Sequence, residues 1–257
     1  FIGIGTMGFQ MAQRIHKQLV SVGGKPLLIY NRTASRAQDL KKHVPDIQIA
    51  ESIKMLAQES DIVFTSLRGD DNVIQVVNEL LNEEHGLEKK SIIVELSTVD
   101  PSIAEELANK AQQVYVHYIA CPVTGPSAKA ATGNLILTPA GDPTLLDKVI
   151  LPQLIPAIGN KKVLRVGEKP HQALQFKLIN NFFTRSLTET LATGMALAEL
   201  TGTGKDNIKE LMSELFPGTI LARYAERMTR NTFKDEVQLS LTSAREDALR
   251  ILSLVEN

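Results

Sequence analysis

The chain holds a single cysteine, Cys121, among its 257 residues. No internal disulfide can form, which is consistent with a reducing compartment. Cys121 lies in an apolar run before Pro122, where a small buried hydrophobe is expected. No apolar run approaches the roughly 20 residues needed to span a bilayer, so no membrane role is expected. Neither sign of charge is in excess. With 28 Lys and Arg against 29 Asp and Glu, no bulk field draws the chain to nucleic acid. His16, His43, His85, His117 and His171 show no HxxxH spacing and no neighbouring Cys or carboxylate cluster, so no metal site is expected. His117 reads as mid-strand, where core packing or a hydrogen bond accounts for it. A serine or cysteine nucleophile signature, an internal repeat and a low-complexity segment are also missing. An initiator Met is lacking too: Phe1 already reads as strand, so upstream residues, with any targeting segment, are expected to be missing. A cytoplasmic location is the default expectation, and a mitochondrial one stays open. The last helical stretch has no stop signal, so the C-terminus is also expected to be incomplete.

What is present is ordinary globular composition, 43% hydrophobic and 22% charged, enough for one large or two medium domains. Up to about residue 166, short apolar runs alternate with helical patterns, which predicts βαβ units and a mostly parallel sheet. The strand candidates are Leu27–Tyr30, Ile62–Leu67, Ile92–Leu96, Tyr115–Ala120, Leu135–Leu137 and Val163–Val166. Helical stretches at Met11–Val20, Ala34–Lys42, Val73–Leu81, Pro101–Gln113 and Pro143–Leu151 lie between most of them. Asp100-Pro101 is a helix start, with a capping side chain and Pro at the first helical position. From His171 the pattern changes. His171 to Leu200 holds no proline and one glycine, Gly194, and reads as one long helix. Breakers at Thr201–Gly204, Phe216–Gly218 and Asn231-Thr232 then separate three further helical stretches. The expected class is α/β: a Rossmann-type, mostly parallel sheet over residues 1–168, then an all-α C-terminal domain over 169–257, joined through the long interdomain helix.

The first eight residues carry a specific signal. Gly3-Ile-Gly5-Thr6-Met7-Gly8 runs from a strand end into a helix, the arrangement a dinucleotide pyrophosphate needs. Gly3 permits the tight turn, Gly5 lets the backbone approach the phosphates, and Gly8 lets the helix pack on the strand. The helix N-terminus offers free N–H groups and a positive dipole end. The second strand ends in Asn31-Arg32-Thr33, where a ribose-reading residue belongs. An NAD site usually carries Asp or Glu there. Asn31 has no charge to repel a phosphate, and Arg32 offers a planar fork to one, so NADP(H) is favoured over NAD(H). The plainer alternative is that Arg32 and Arg36 belong to a solvated helix start.

The long helix holds the second signal. Lys177, Asn181, Thr184 and Thr188 recur at i, i+4, i+7 and i+11 and form one polar stripe. Phe176, Leu178, Ile179, Phe182 and Phe183 flank it, so the helix is expected to be buried between the two domains with its stripe lining a cleft. A desolvated lysine there can have a lowered pKa suited to protonating a carbonyl oxygen. A lysine snorkelling to solvent from a core helix explains the spacing equally well.

Five motifs in order bear on this choice. Gly3-Ile-Gly-Thr-Met-Gly8, Ser97-Thr-Val-Asp-Pro101, Pro122-Val-Thr-Gly125 with Gly133-Asn-Leu135, Lys177-Leu-Ile-Asn-Asn181 and Phe233-Lys-Asp235 follow one another along the whole chain. In this the sequence resembles the β-hydroxyacid dehydrogenases, the group that contains 3-hydroxyisobutyrate dehydrogenase and the glyoxylate/succinic semialdehyde reductases. The resemblance implies that Lys177 is the general acid/base and that Asn181 holds the substrate. Asn180, off the stripe, is expected to pack the helix. The resemblance further implies that Thr98, Leu67 and Lys234 touch the cofactor. Helix-start capping for Thr98 and a plain surface position for Lys234 are the alternatives. It implies a helical domain that binds substrate and pairs chains as a homodimer or higher homo-oligomer.

Two departures stand out. Arg68 replaces the proline that follows the family's leucine, here Leu67. Thr124-Gly125-Pro126 stands where the family usually has Ser-Gly-Gly, whose hydroxyl and backbone N–H groups hold the substrate carboxylate. Pro126 has no N–H to donate. A carboxylate is expected to bind through Thr124 and Gly125, short of roughly 1.5–3 kcal/mol unless water or another donor substitutes. The expected activity is reduction of a small carboxylated carbonyl, or oxidation of the hydroxy acid, with NADP(H). A non-catalytic NADP-binding interaction module and a related imine or sugar-acid oxidoreductase are the alternatives.

Overall fold

Runs of Val, Ile and Leu buried on both faces form parallel strands when helices cover each side, and β4 (Ile92–Glu95) is of this kind, with all four residues buried. In the computed structural model of the chain, which describes residues 1–233 and 241–256, β4 is the middle of the parallel trio β3-β4-β5, with β3 at Ile62–Thr65 and β5 at His117–Ala120. Parallel β1 (Leu28–Ile29) and β2 (Gln48–Ile49) lie to one side. Ile2 joins the two groups, bridging Tyr30 and Thr65 in parallel. The helices α1 (Thr6–Ser21), α2 (Ala34–His43), α3 (Ile53–Gln58), α4 (Asp70–Leu80) and α5 (Pro101–Gln113) supply the crossovers. Beyond β5 come β6 (Val123–Thr124), α6 (Ser127–Thr132) and β7 (Leu135–Leu137). Then α7 (Pro143–Leu145) runs through a π turn, Leu146–Ile150, into α8 (Leu151–Ile158) and β8 (Gly159–Val163). β6 pairs β7 antiparallel and β8 pairs β7 in parallel, so this part of the sheet is mixed.

Alternating residues of β4 face two apolar layers. Ile92 and Val94 pack with Met11, Ile15, Leu135 and Leu154 on one side. Ile93 packs with Val63, Val77, Leu107 and Tyr118 on the other. Cys121 is fully buried, and burial pushes its thiol up to about 12.

The chain divides into two compact units, Phe1–Lys177 and Leu178–Asn257. One helix, α9 (Pro170–Leu200), is continuous across the boundary. Its early residues Ala173 and Leu174 join the core of the first unit. The second unit adds α10 (Lys205–Leu215), α11 (Ile220–Thr229) and α12 (Leu241–Glu256). Its own apolar cluster is small: Leu191, Met195 and Ala225 are buried, with Ile208, Met212, Leu221, Tyr224 and Met228 against them. No helix of the described residues is long and apolar enough to cross a membrane.

The α/β class, the parallel Rossmann-type sheet and the helical C-terminal region agree with the sequence reading. Details differ for local reasons. β5 begins at His117 because Tyr115 is left-handed, at φ 62°, and turns the chain out of α5. His117 is therefore an exposed strand start and not a mid-strand core residue. Four short elements, β2, α3, β6 and α6, leave too little pattern to be read from sequence, since none exceeds six residues.

At the end of β4, Glu95 is fully buried, and its Oε1 accepts from the Ser97 N–H at 2.8 Å. Ser97 Oγ in turn accepts from Leu67 N at 2.7 Å, so one carboxyl group organises the turn before Thr98. Burial raises the Glu95 pKa above its ordinary 4.5, against smaller opposing hydrogen bonds from Ser97 and Thr65. The folded state thus holds this proton more tightly than the unfolded one, and stability is lost as pH rises above the unfolded value. Glu95→Gln keeps the acceptor and removes the titration. Its Tm advantage over the wild type should grow between pH 4.5 and pH 7.5, as read by thermal denaturation. An advantage independent of pH would refute this origin.

Candidate dinucleotide and catalytic site

The turn from the bridge residue Ile2 into α1 is built by backbone contact. Gly3 has φ 99°, and a Cβ there would sit 2.2 Å from the Ser66 carbonyl oxygen. A Cβ on Gly8 would sit 1.9 Å from the Gly3 carbonyl oxygen. Both positions exclude any side chain. Gly5 is different: a Cβ there would meet nothing nearer than Arg36 Nη1, at 3.9 Å. Gly5 is the N-cap of α1 and makes no side-chain cap, so Thr6, Met7 and Gly8 present the first-turn N–H groups beside open space. This is a cradle that a Cβ would fill, and it fits a pyrophosphate.

Around the cradle, Asn31 acts as a brace. Its Oδ1 accepts from Ile4 N at 2.8 Å, and its Nδ2 donates to Thr33 O at 2.9 Å. The side chain expected to read the ribose is thus tied into the glycine turn. Arg32 Nη1 donates to Asn72 Oδ1 at 2.9 Å, and Asn72 Nδ2 donates to Arg68 O at 2.7 Å. This links the second strand end to the loop where the proline is replaced. Thr33 is the N-cap of α2 without a side-chain cap bond. Arg36, read above only as helix surface, is the cation nearest Gly5. Its position one turn after Arg32 was the available signal. Leu67 and Thr98 are brought together through Ser97, which accepts from Leu67 N and precedes Thr98. Both are half-buried.

Lys177 closes the first unit. Its Nζ donates to Val123 O at 3.0 Å and to Thr124 Oγ1 at 3.1 Å. The antiparallel pairing of β6 with β7 holds those acceptors in place. The ammonium therefore lies against Thr124, and it does not snorkel away. Gly125 follows at φ 143°, where a Cβ would come 2.9 Å from Leu135 Cδ2. Pro126 caps α6, its carbonyl accepting from Lys129 N at 2.9 Å and Ala130 N at 3.2 Å.

One turn along α9, in the second unit, Asn181 Nδ2 donates to Asp247 Oδ2 at 2.8 Å. Thr184 and Thr188 complete the stripe, but their hydroxyls bond back to the carbonyls of Asn180 and Thr184 at 3.0 and 2.7 Å. They serve the helix itself. The expected burial of the flanks holds for Leu178 alone. Phe176, Ile179, Phe182, Phe183 and Leu187 stand 38 to 60% exposed on the chain. Lys234, with Asp235, lies outside the described residues.

Residues 1–167 match the family described as the NAD binding domain of 6-phosphogluconate dehydrogenase, and the chain belongs to that family. It is 28% identical over 220 residues to an NADH-dependent oxidoreductase of Aspergillus ustus, covering 85% of this chain and 73% of that protein. It is 27% identical over 214 residues to a 2-(hydroxymethyl)glutarate dehydrogenase of Eubacterium barkeri, covering 83% and 67%. A solved Mycobacterium tuberculosis 3-hydroxyisobutyrate dehydrogenase with L-serine shares the fold over the whole chain and 85% of its own, with TM-score 0.83 and 20% identity. Imine reductases share this fold as well. The family resemblance read from the motifs is borne out.

The two kinds of glycine predict separable effects. Gly8→Ala should lower Tm by about 5 °C or more, because backbone must move to admit the methyl group. Gly5→Ala should leave Tm within a degree or so yet weaken NADPH binding in a fluorescence titration about tenfold or more. Unchanged binding in Gly5→Ala would remove the cradle as the pyrophosphate site.

Proposed function

We propose that this family member is an NADP(H)-dependent oxidoreductase that interconverts a small β-hydroxy acid and its semialdehyde, or reduces a small carboxylated aldehyde. The observation that carries the reading is the Lys177 ammonium seated on Thr124 Oγ1 and Val123 O. That places positive charge and a transferable proton beside the hydroxyl that would receive the substrate carboxylate. The nicotinamide supplies the hydride when bound. Lys177 then protonates the oxygen that develops negative charge, or takes the proton in the oxidative direction, and its charge stabilises that oxygen meanwhile. Thr124 keeps its own hydroxyl hydrogen to donate, and the backbone N–H of Gly125 would be a second donor to the acid. Gly3 through Gly8 would hold the pyrophosphate, with Leu67 and Thr98 at the turn beyond β3 and β4.

Arg32 and Arg36 support the phosphate-bearing cofactor, through a planar fork and a guanidinium whose Nη1 lies 3.9 Å from where a Gly5 Cβ would sit. A relative named NADH-dependent makes the contrast worth measuring. In the double variant Arg32→Ala/Arg36→Ala, KM for NADPH should rise about tenfold to a hundredfold, as expected for lost charge-assisted hydrogen bonds. KM for NADH should change by less than about threefold.

We further propose that the chain works as a homodimer or higher homo-oligomer. Phe176, Ile179, Phe183 and Leu187 fall at i, i+3, i+7 and i+11 on α9 and form an apolar stripe that stays 38 to 60% exposed. Sedimentation at micromolar concentration should show a dimer or larger, and Phe183→Glu should shift it toward monomer.

The deciding experiment follows NADPH consumption with glyoxylate, succinic semialdehyde, methylmalonate semialdehyde, a cyclic imine and 6-phosphogluconate. One of the three aldehydes should be turned over fastest, and Lys177→Ala should lower its kcat about a hundredfold or more. Preferred turnover of the imine would favour imine reduction. NADPH binding without turnover of any compound would favour a non-catalytic module. Unchanged turnover in Lys177→Ala would sink the role of the lysine.

A further inference from the structure

The second unit contains a polar node that the sequence motifs did not single out. Asp247, on α12, is buried at 8% exposure in a chain region whose other buried residues, among those described, are apolar. Its Oδ2 accepts from Asn181 Nδ2 at 2.8 Å and pairs with the Arg185 guanidinium. Its Oδ1 accepts from Arg250 Nη1 at 3.1 Å. Asn181 and Arg185 lie one turn apart on α9, while Arg250 follows Asp247 by three residues on α12. The carboxylate therefore gathers three donors from two helices. Holding a carboxylate at such depth costs solvation, which paired charges and hydrogen bonds must offset. Two guanidinium groups already answer the charge, so the bond to Asn181 is not needed to satisfy it. It does something for Asn181 instead.

A carboxylate oxygen only accepts, so Asn181 must face it with its amide NH2 group. That fixes which end of the amide is left over. We propose that Asp247 is a positioning residue for Asn181, locking the amide so that Oδ1, an acceptor, is the atom offered to substrate. This rests on the reading that Asn181 touches substrate. An acceptor there takes the hydrogen of a hydroxyl or ammonium group and turns away a carboxylate oxygen. The substrate class that follows carries such a donor beside its reacting carbon, with its carboxylate held elsewhere.

Two measurements test this. The first needs no turnover. In 1H–15N spectra the Asn181 side-chain amide is identified by its disappearance in Asn181→Leu. Its protons should exchange slowly in the wild type and at least tenfold faster in Asp247→Asn and Asp247→Ala. Equal exchange in all three overturns the proposal whatever the enzyme turns over. The second is a kinetic cycle with the fastest aldehyde of the panel above. Asn181→Leu and Asp247→Asn should each raise KM about tenfold with the NADPH KM unchanged, and the double variant should be no worse than the worse single one. Independent, multiplying effects would mean that Asp247 serves stability alone and would overturn the proposal. Asp247→Glu, which keeps the charge and both acceptors, should recover more than half of the loss; no recovery counts against it. If Asn181→Leu leaves KM unchanged while the exchange result holds, the substrate contact of Asn181 fails and the positioning itself survives.

Discussion

A contact in which no side-chain atom can take part governs the first unit. The Gly8 backbone lies against the Gly3 carbonyl so closely that a methyl group would overlap it, at 1.9 Å. That approach sets where α1 starts relative to the sheet. It leaves the first-turn N–H groups facing open space at Gly5, and it brings α1 down upon α6 and α8. Arg14 extends the same constraint, its Nε donating to Ala157 O at 2.5 Å on α8. Gly133, left-handed at φ 70° to end α6, leaves room for that guanidinium, which a Cβ would meet at 2.6 Å. The glycine turn and the part of the sheet that carries Thr124 are thus fixed by one helix.

How much of this could be read in the sequence depended on the range of the interaction. Local signals were clear. Asp100 accepts from Ser102 N at 2.9 Å and starts α5 at Pro101, and the glycine turn forms as its spacing implies. Long regular elements such as α9 and β4 were also clear, because their pattern is sustained. What failed was short or tertiary. Tyr115 turns left-handed where its type predicts strand, and β6 holds only two residues, so nothing in its composition marks it. The aromatic flanks of α9 read as core because sequence reports apolarity and not what covers it.

The polar residues divide in the same way. Asn31 was visible as an uncharged residue at a strand end, but its role as a brace needs Ile4, which lies 27 residues away in sequence. Asp247 lies 66 residues from Asn181, on a helix whose charges look like an ordinary solvated face. Only the fold shows that it is buried and that it faces the same side of α9 as the asparagine. Positions that organise other side chains are therefore the least legible, since their meaning lies in a partner far along the chain.

Cys121 has a use that follows from its isolation. It is the only thiol in the chain, fully buried beneath the end of β5, and its N–H is bonded to the Glu95 carbonyl at 2.8 Å. Burial keeps it a neutral thiol, up to about 12, so the native form offers no thiolate to alkylating or oxidising reagents. Labelling at this one atom requires the sheet to open. The chain thus carries a built-in clock for the unfolding of its first unit, read as the rate at which a thiol reagent adds a single mass.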